Sequence, residues 1–276
     1  MRLRECRLVA ARELRDAMRS RWFVVAAVCF LVLSFGLSML GLAGAQRSGL
    51  AGFDRTTASL LNLALLFVPL MTLSLGALGT AGELEDGSLA FLLAQPVTRT
   101  EVFVGKYVGL LTAISASIVL GFGVTGVIIG ATVGGNMIAF LGLVGLVLLL
   151  AAATLAIGTL LSVALRNRAR VIGAAFGVWL FLVYVSDLGA IGLTIARNLA
   201  PGQVFILALL NPVQQARVLG TLIVAGRIDM LGPAGMFGID HFGTAGMVVL
   251  LAGALAVVAT GTLAAAYGMF RRCPIP

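Results

Sequence analysis

The chain has 276 residues, of which 60% are hydrophobic and 11% charged, with a mean hydropathy of +1.10 and a net charge of +8. A soluble domain averages about a quarter charged residues, so this composition excludes a water-solvated globule and describes a chain bathed in lipid. The positive charge does not point to nucleic acid either: the arginines sit beside apolar runs, where they signal membrane topology.

Residues 1–21 carry Arg2, Arg4, Arg7, Arg12, Arg15, Arg19 and Arg21, with Leu3, Cys6, Ala10, Leu14 and Ala17 recurring at helical spacing. This predicts an amphipathic arm along the inner headgroups, its arginines on anionic lipid. The apolar run 22–42 after it is about 31 Å long as a helix and spans a bilayer, whereas a signal h-region is typically only about 7–15 residues. Further spans are expected at about 57–80, 105–131, 137–163, 171–195 and 246–269. Of the 19 Lys and Arg residues, all but Arg47, Arg55, Arg197, Arg217 and Arg227 then fall on one side. That asymmetry places both termini in the cytoplasm. It makes the chain a single multi-pass domain of the cytoplasmic (inner) membrane, all-α with six transmembrane helices.

A Gly-rich outer loop is expected at 43–56. The next span carries Asn62 and Pro69, and a proline inside a membrane helix marks a kink. The stretch 82–96 is too polar to span. It begins with Glu83, Glu85 and Asp86, which suit the positive end of a helix dipole, and continues with Gly87 and Ser88. Leu89, Leu92 and Leu93 then form one apolar face. Gln95-Pro96 stops the helix, and Val97, Arg99, Glu101 and Gly105-Lys106 follow. This reads as a short surface helix that docks a partner. Gly105, Gly109, Ala113, Ser117, Gly121 and Thr125 make a small-residue stripe along the third span, suited to close helix packing. A tight turn at 132–136 leads to the fourth span. The basic loop 166–170 reads as a lipid anchor.

Asp187 is the one acid inside an apolar span, in the outer half of the fifth. An intramembrane carboxylate faces protein or water. It is read as an acid bonded to a neighbouring helix, with a gate or a proton-conducting group as the alternative. In 196–245 the apolar pieces are too short to span and read as a re-entrant outer hairpin, Asn211-Pro212 opening its second helix. From Gly226 the chain loosens. Met230, Met236, Asp240, His241 and Met247 include soft-metal ligand types, but one histidine and irregular spacing favour gap-filling over a Cu(I) site. Cys6, Cys29 and Cys273 show neither metal spacing nor a pairing pattern. Nucleotide-loop and zinc-protease motifs and the Gly-x-Ser-x-Gly elbow are absent. No catalytic role, metal or directly bound cofactor is expected.

The residues Ala11-Arg12-Glu13-Leu14, then Arg19 to Trp22, resemble the N-terminal arm of type 2 permeases of ATP-binding-cassette transporters. The pattern from Glu83 through Pro96-Val97-x-Arg99 to Gly105-Lys106 resembles the first cytoplasmic loop of that family, a coupling helix gripped by the ATPase subunit. Gly177-Val178-Trp179, Asp187, Leu209-Leu210-Asn211-Pro212 and the ending Tyr267–Arg272 are similar to permeases of nitrous-oxide reductase maturation transporters. The resemblance implies a non-catalytic subunit that pairs with itself as a homodimer. A cytoplasmic ATPase binding ATP and magnesium drives it, and a periplasmic copper-handling protein sits on its outer face. It leaves open whether solute is exported or the subunit is a scaffold that moves none.

Overall fold

The computed structural model describes residues 3–48, 51–93, 97–132, 137–197, 200–225 and 232–272. Among these there is no strand. A span in hydrocarbon must satisfy its own backbone N–H and C=O groups, and the helix does so within one segment. In order the elements are α1 (Leu3–Arg19), α2 (Arg21–Ser48), α3 (Ala51–Glu85), α4 (Ser88–Leu93), α5 (Arg99–Thr132), α6 (Met137–Leu165) and α7 (Arg168–Leu180). A π-helical segment, Phe181–Val185, joins α7 to α8 (Ser186–Arg197), and α9 (Pro201–Leu209), α10 (Pro212–Ala225) and α11 (Gly232–Arg272) complete the chain. Among the described residues six helical stretches are long and apolar enough to cross a membrane: Arg21–Leu40, Thr56–Glu85, Arg99–Val127, Met137–Leu165, Arg168–Gly189 and Gly235–Arg272. The chain is an all-α multi-pass membrane protein.

The helices overrun the expected spans. α3 continues five residues past 80, α5 starts at Arg99, and the loop expected over 43–56 is helical on both sides of residues 49 and 50. The segment expected to loosen from Gly226 is helical from Gly232. Pro233 there sits in a first turn, where its missing N–H is not needed. Gly238 lets the start of α11 close on α9 and on the part of α11 beyond Gly243: a Cβ there would lie 2.5 Å from Met247 Sδ and 2.9 Å from the Phe205 ring. Packing thus overrides glycine's weak helix propensity. The expected span at 246–269 is the part of α11 beyond a break at Gly243, whose φ of 68° suits a residue without a Cβ.

α3 and α6 form the centre. Gly76 and Gly158 bring their backbones together: a Cβ on Gly76 would stand 2.8 Å from Leu155 O, and one on Gly158 2.8 Å from Leu73 O. One turn away the Thr72 and Thr154 hydroxyls share a hydrogen bond of 2.7 Å. Around this pair stand α2, α5, α7, α10 and α11. Trp179 Nε1 on α7 donates to Leu66 O of α3 at 3.0 Å, one turn from Pro69.

The α5 stripe faces helices at both ends. A Cβ on Gly105 would lie 2.8 Å from Val9 and one on Gly109 2.5 Å from Ala10 O, so this end seats α1. Gly121 faces Phe30 and Thr125 donates to Ser34 O at 3.4 Å, so the other end seats α2. The arm α1 is therefore docked on protein along Val9, Glu13 and Ala17, and its exposed face carries Arg4, Leu8, Arg15 and Met18. The end of the bundle that holds α1, α4 and Arg271 is called the basic end below.

Candidate functional site

At the basic end, α3 runs out into Glu83 and Glu85, turns through Asp86 and Gly87, and restarts as α4. Gly87 has φ 70°, a left-handed turn that glycine makes without strain. This corrects one expectation: Glu83 and Glu85 finish α3 and do not open the short helix. At a helix C-terminus the dipole disfavours carboxylates, so they are held by cations and amides from other elements.

Glu83 Oε1 lies 3.1 Å from Lys106 Nζ on α5 and 3.8 Å from Arg12 Nη2 on α1. Lys106 Nζ also donates to both oxygens of Glu13, at 2.9 and 3.1 Å. Lys106 is 4% exposed and Glu13 7%. One buried ammonium therefore joins the arm, the end of α3 and the start of α5. Burial pushes the Glu13 carboxyl above the usual carboxylate range, against the pull of Lys106 beside it. Arg12 also faces Asp16 one turn along α1, at 3.6 Å. Arg19 is exposed near the end of the arm.

Glu85 and Asp86 are taken by the loop between α6 and α7. The backbone N–H of Arg168 donates to Glu85 Oε2 at 2.7 Å, and the Arg168 guanidinium bonds Asp86. Asn167 caps α7, its Oδ1 accepting from Arg170 N at 3.2 Å. The loop expected to anchor to lipid thus meets this chain's own acids. The Cβ position of Gly82 is filled by the same guanidinium, 3.0 Å away.

α4 lies behind these contacts. Leu89, 1% exposed, and Leu92 pack into a satellite core with Val102, Phe103, Val163, Ala266 and Phe270. The apolar face of Leu89 and Leu92 is therefore turned inward and fixes α4 to α5, α6 and α11. Phe91, one of the two residues between them, is 82% exposed. Its signal in the sequence was the same spacing: if Leu89 and Leu92 are the inner face, position 91 points away. Leu93 closes the helix, and Pro96 lies outside the described residues.

The next helix starts with a reciprocal cap. Glu101 Oε2 accepts from Thr98 N at 2.9 Å and Thr98 Oγ1 accepts from Glu101 N at 3.3 Å. Arg99 Nη1 donates to Arg271 O at 3.0 Å, and the Thr100 and Tyr267 hydroxyls pair at 2.7 Å. The last turn of α11 is thereby tied to the start of α5.

At the far end, Asp187 opens α8 directly after the π-helical segment and pairs with Arg217 of α10. Asn211 Nδ2 donates to Leu182 O at 2.7 Å and bonds Ser186 Oγ, while its Oδ1 accepts from Val213 N at 2.8 Å. Pro212 begins α10, and the helix path bends by 112° between α9 and α10. Met236 is exposed near His241, whose Nδ1 faces Phe237 O at 3.0 Å; Met230 lies outside the described residues. Among the described residues no three His, Cys, Asp or Glu side chains gather to hold a metal.

Comparison with known proteins gives a consistent likeness. A family model described as ABC-2 family transporter protein matches residues 7–273. The chain is 31% identical over 284 aligned residues to a protein of Pseudomonas aeruginosa named probable ABC transporter permease protein NosY, covering 97% of this chain and 98% of that one. It is 32% identical over 218 residues to the protein of the same name from Stutzerimonas stutzeri, covering 76% of this chain and 79% of that one.

Proposed function

The chain belongs to the ABC-2 family of transporter proteins, and from that premise we propose that it is the membrane half through which a separate ATP-binding-cassette ATPase does mechanical work. The observation that carries this reading is α4: a two-turn helix pinned by Leu89 and Leu92, braced by paired acids, and tipped with an exposed phenylalanine. An aromatic anchor on a rigid base is the usual centre of a protein interface. ATP closes the ATPase dimer, the closure presses α4 and the arm, and the spans respond. A ligand shifts such an equilibrium only through contacts that differ between the two states; α4 is where they differ.

The permease works as a homodimer, as its resemblance to type 2 permeases implies, and it sits in the cytoplasmic membrane with both termini inside, because the basic end collects the arm, Arg99, Arg168 and Arg271. Anionic lipids meet the exposed arginines of the arm. The likeness to permeases of nitrous-oxide reductase maturation supports a copper-handling protein as the partner on the outer face, moved by the hairpin α9–α10, with export of a solute as the other output. Asp187 is neutralised by Arg217, and a proton relay needs several polar groups; this supports a structural clasp over a conducting path.

The test is co-purification with the neighbouring ATPase. Phe91→Asp is expected to weaken association by about tenfold or more, the loss of a central aromatic contact, with the permease still folded because Phe91 touches little of its own chain. Undiminished association of the variant refutes the docking role.

A further inference from the structure

Ser162 lies on α6, one turn from the Gly76–Gly158 contact toward the basic end, and is fully buried. Its hydroxyl oxygen accepts from two consecutive backbone amides of α3, Thr80 N at 3.1 Å and Ala81 N at 2.7 Å. In an uninterrupted α-helix those amides serve the carbonyls of Gly76 and Ala77. α3 runs unbroken through this point, so the hydroxyl is a second acceptor beside the ladder, and a side chain that enters such a ladder is one of the few established causes of helix bending. The contact sits at a boundary. On one side α3 is fixed on α6 by Gly76, Gly158 and the Thr72–Thr154 hydroxyl pair. On the other side its last turn is held by Lys106, Arg12 and Arg168.

We infer that Ser162 is the pivot of α3, a positioning residue about which the last turn and the coupling helix swing against the fixed α3–α6 pair. A hydroxyl oxygen suits this task because it has two lone pairs and a short lever. It keeps both amides satisfied in a medium that offers them no water while the helix bends or straightens. This inference rests on the coupling reading of α4 and names the residue through which that push enters the spans.

The test uses the full-length permease in lipid nanodiscs, alone and with its ATPase, as wild type, Ser162→Ala and Ser162→Thr. Alone, Ser162→Ala leaves the two amides only the carbonyls of α3 as acceptors. Hydrogen exchange over residues 76–86 is then expected to slow by about fivefold, with residues 60–72 unchanged. In the complex, Ser162→Ala is expected to bind the ATPase within about twofold of wild type while permease-dependent stimulation of ATP turnover falls by about fivefold, the scale of a modest coupling free energy. Ser162→Thr, which keeps the acceptor, restores both. Unchanged exchange over 76–86 overturns the pivot. Faster exchange there overturns it too, since Ser162 would then be a staple holding the helix closed. Stimulation by Ser162→Ala equal to wild type likewise overturns it. A wild-type permease that binds no ATPase removes the coupling reading instead, and the exchange measurement on the permease alone then decides the pivot.

Discussion

Lys106 shows how one residue sets the geometry of the basic end. It is nearly enclosed, and it bonds a carboxylate on each of two other helices. Removing one partner of a buried ion pair strands the other charge and costs about 3–5 kcal/mol, whereas removing the whole set is much cheaper. Lys106→Met is therefore expected to lower the unfolding midpoint strongly, and adding Glu13→Gln with Glu83→Gln to recover most of the loss in the same melt. Glu13 adds a pH dependence. Its carboxyl is raised by burial above its ordinary value near 4.5, so the docked arm binds the proton more tightly than a free arm does. Docking is then strongest in acid and weakens as pH rises from about 4.5 through the raised value. Protease cleavage of the arm across that range is expected to speed up with pH in the wild type and to stay flat in Glu13→Gln. The sequence displayed these charges but not their pairing. Glu13 interrupts the buried face of an amphipathic arm, and nothing in its spacing shows that a lysine 93 positions later completes it.

At the scale of elements, the small-residue stripe of α5 proved to be two seats. Gly105 and Gly109 admit α1 to backbone contact, and a Cβ at Gly109 would fall 2.5 Å from Ala10 O, inside any real contact. Gly109→Val is expected to lift the arm off α5, exposing the 3–19 segment to trypsin, while Gly123→Val, whose Cβ meets open space, leaves cleavage unchanged. α4 separates two roles in the same way. Leu89→Ala empties a buried site and is expected to cost about 2–5 kcal/mol of stability, lowering the melting midpoint before it touches the ATPase. Phe91 substitutions act on the ATPase first. The i, i+3, i+4 spacing of the leucines was readable and located an apolar face, but the spacing alone could not say whether that face met a partner or the chain's own bundle. The position of the acids was misread for a related reason. Gly87 is the true boundary, and an apolar helix that carries on past its membrane length is decided by the cations waiting at its end.

For the molecule as a whole, the question is how a push at the basic end reaches the far end. α10 leans on both α3 and α6, the two central helices, and is clasped to the fifth span by Asp187–Arg217 and by Asn211 on Leu182 O. The π-helical segment at 181–185 belongs to this clasp: its widened turn includes the carbonyl that Asn211 takes. Span number and placement were legible from hydropathy, because lipid leaves a chain few choices. The clasp was legible only as its parts, one acid in an apolar run and an Asn-Pro step. If motion travels through α3 and α6 to the hairpin, pinning α10 to α6 stops it without touching α4. Gly142 and Ile223 face each other here, a Cβ on Gly142 lying 3.5 Å from Ile223 Cγ2, so cysteines at the two positions are close enough to be joined through a short reducible dithiol cross-linker. In a background lacking Cys6, Cys29 and Cys273, the pair Gly142→Cys and Ile223→Cys is expected to bind the ATPase normally when cross-linked. Stimulation of ATP turnover is expected to fall by about fivefold and to return on reduction. Stimulation that persists with the cross-link formed would place the moving parts elsewhere, because a hairpin held rigidly to α6 cannot then be the element that the ATPase drives.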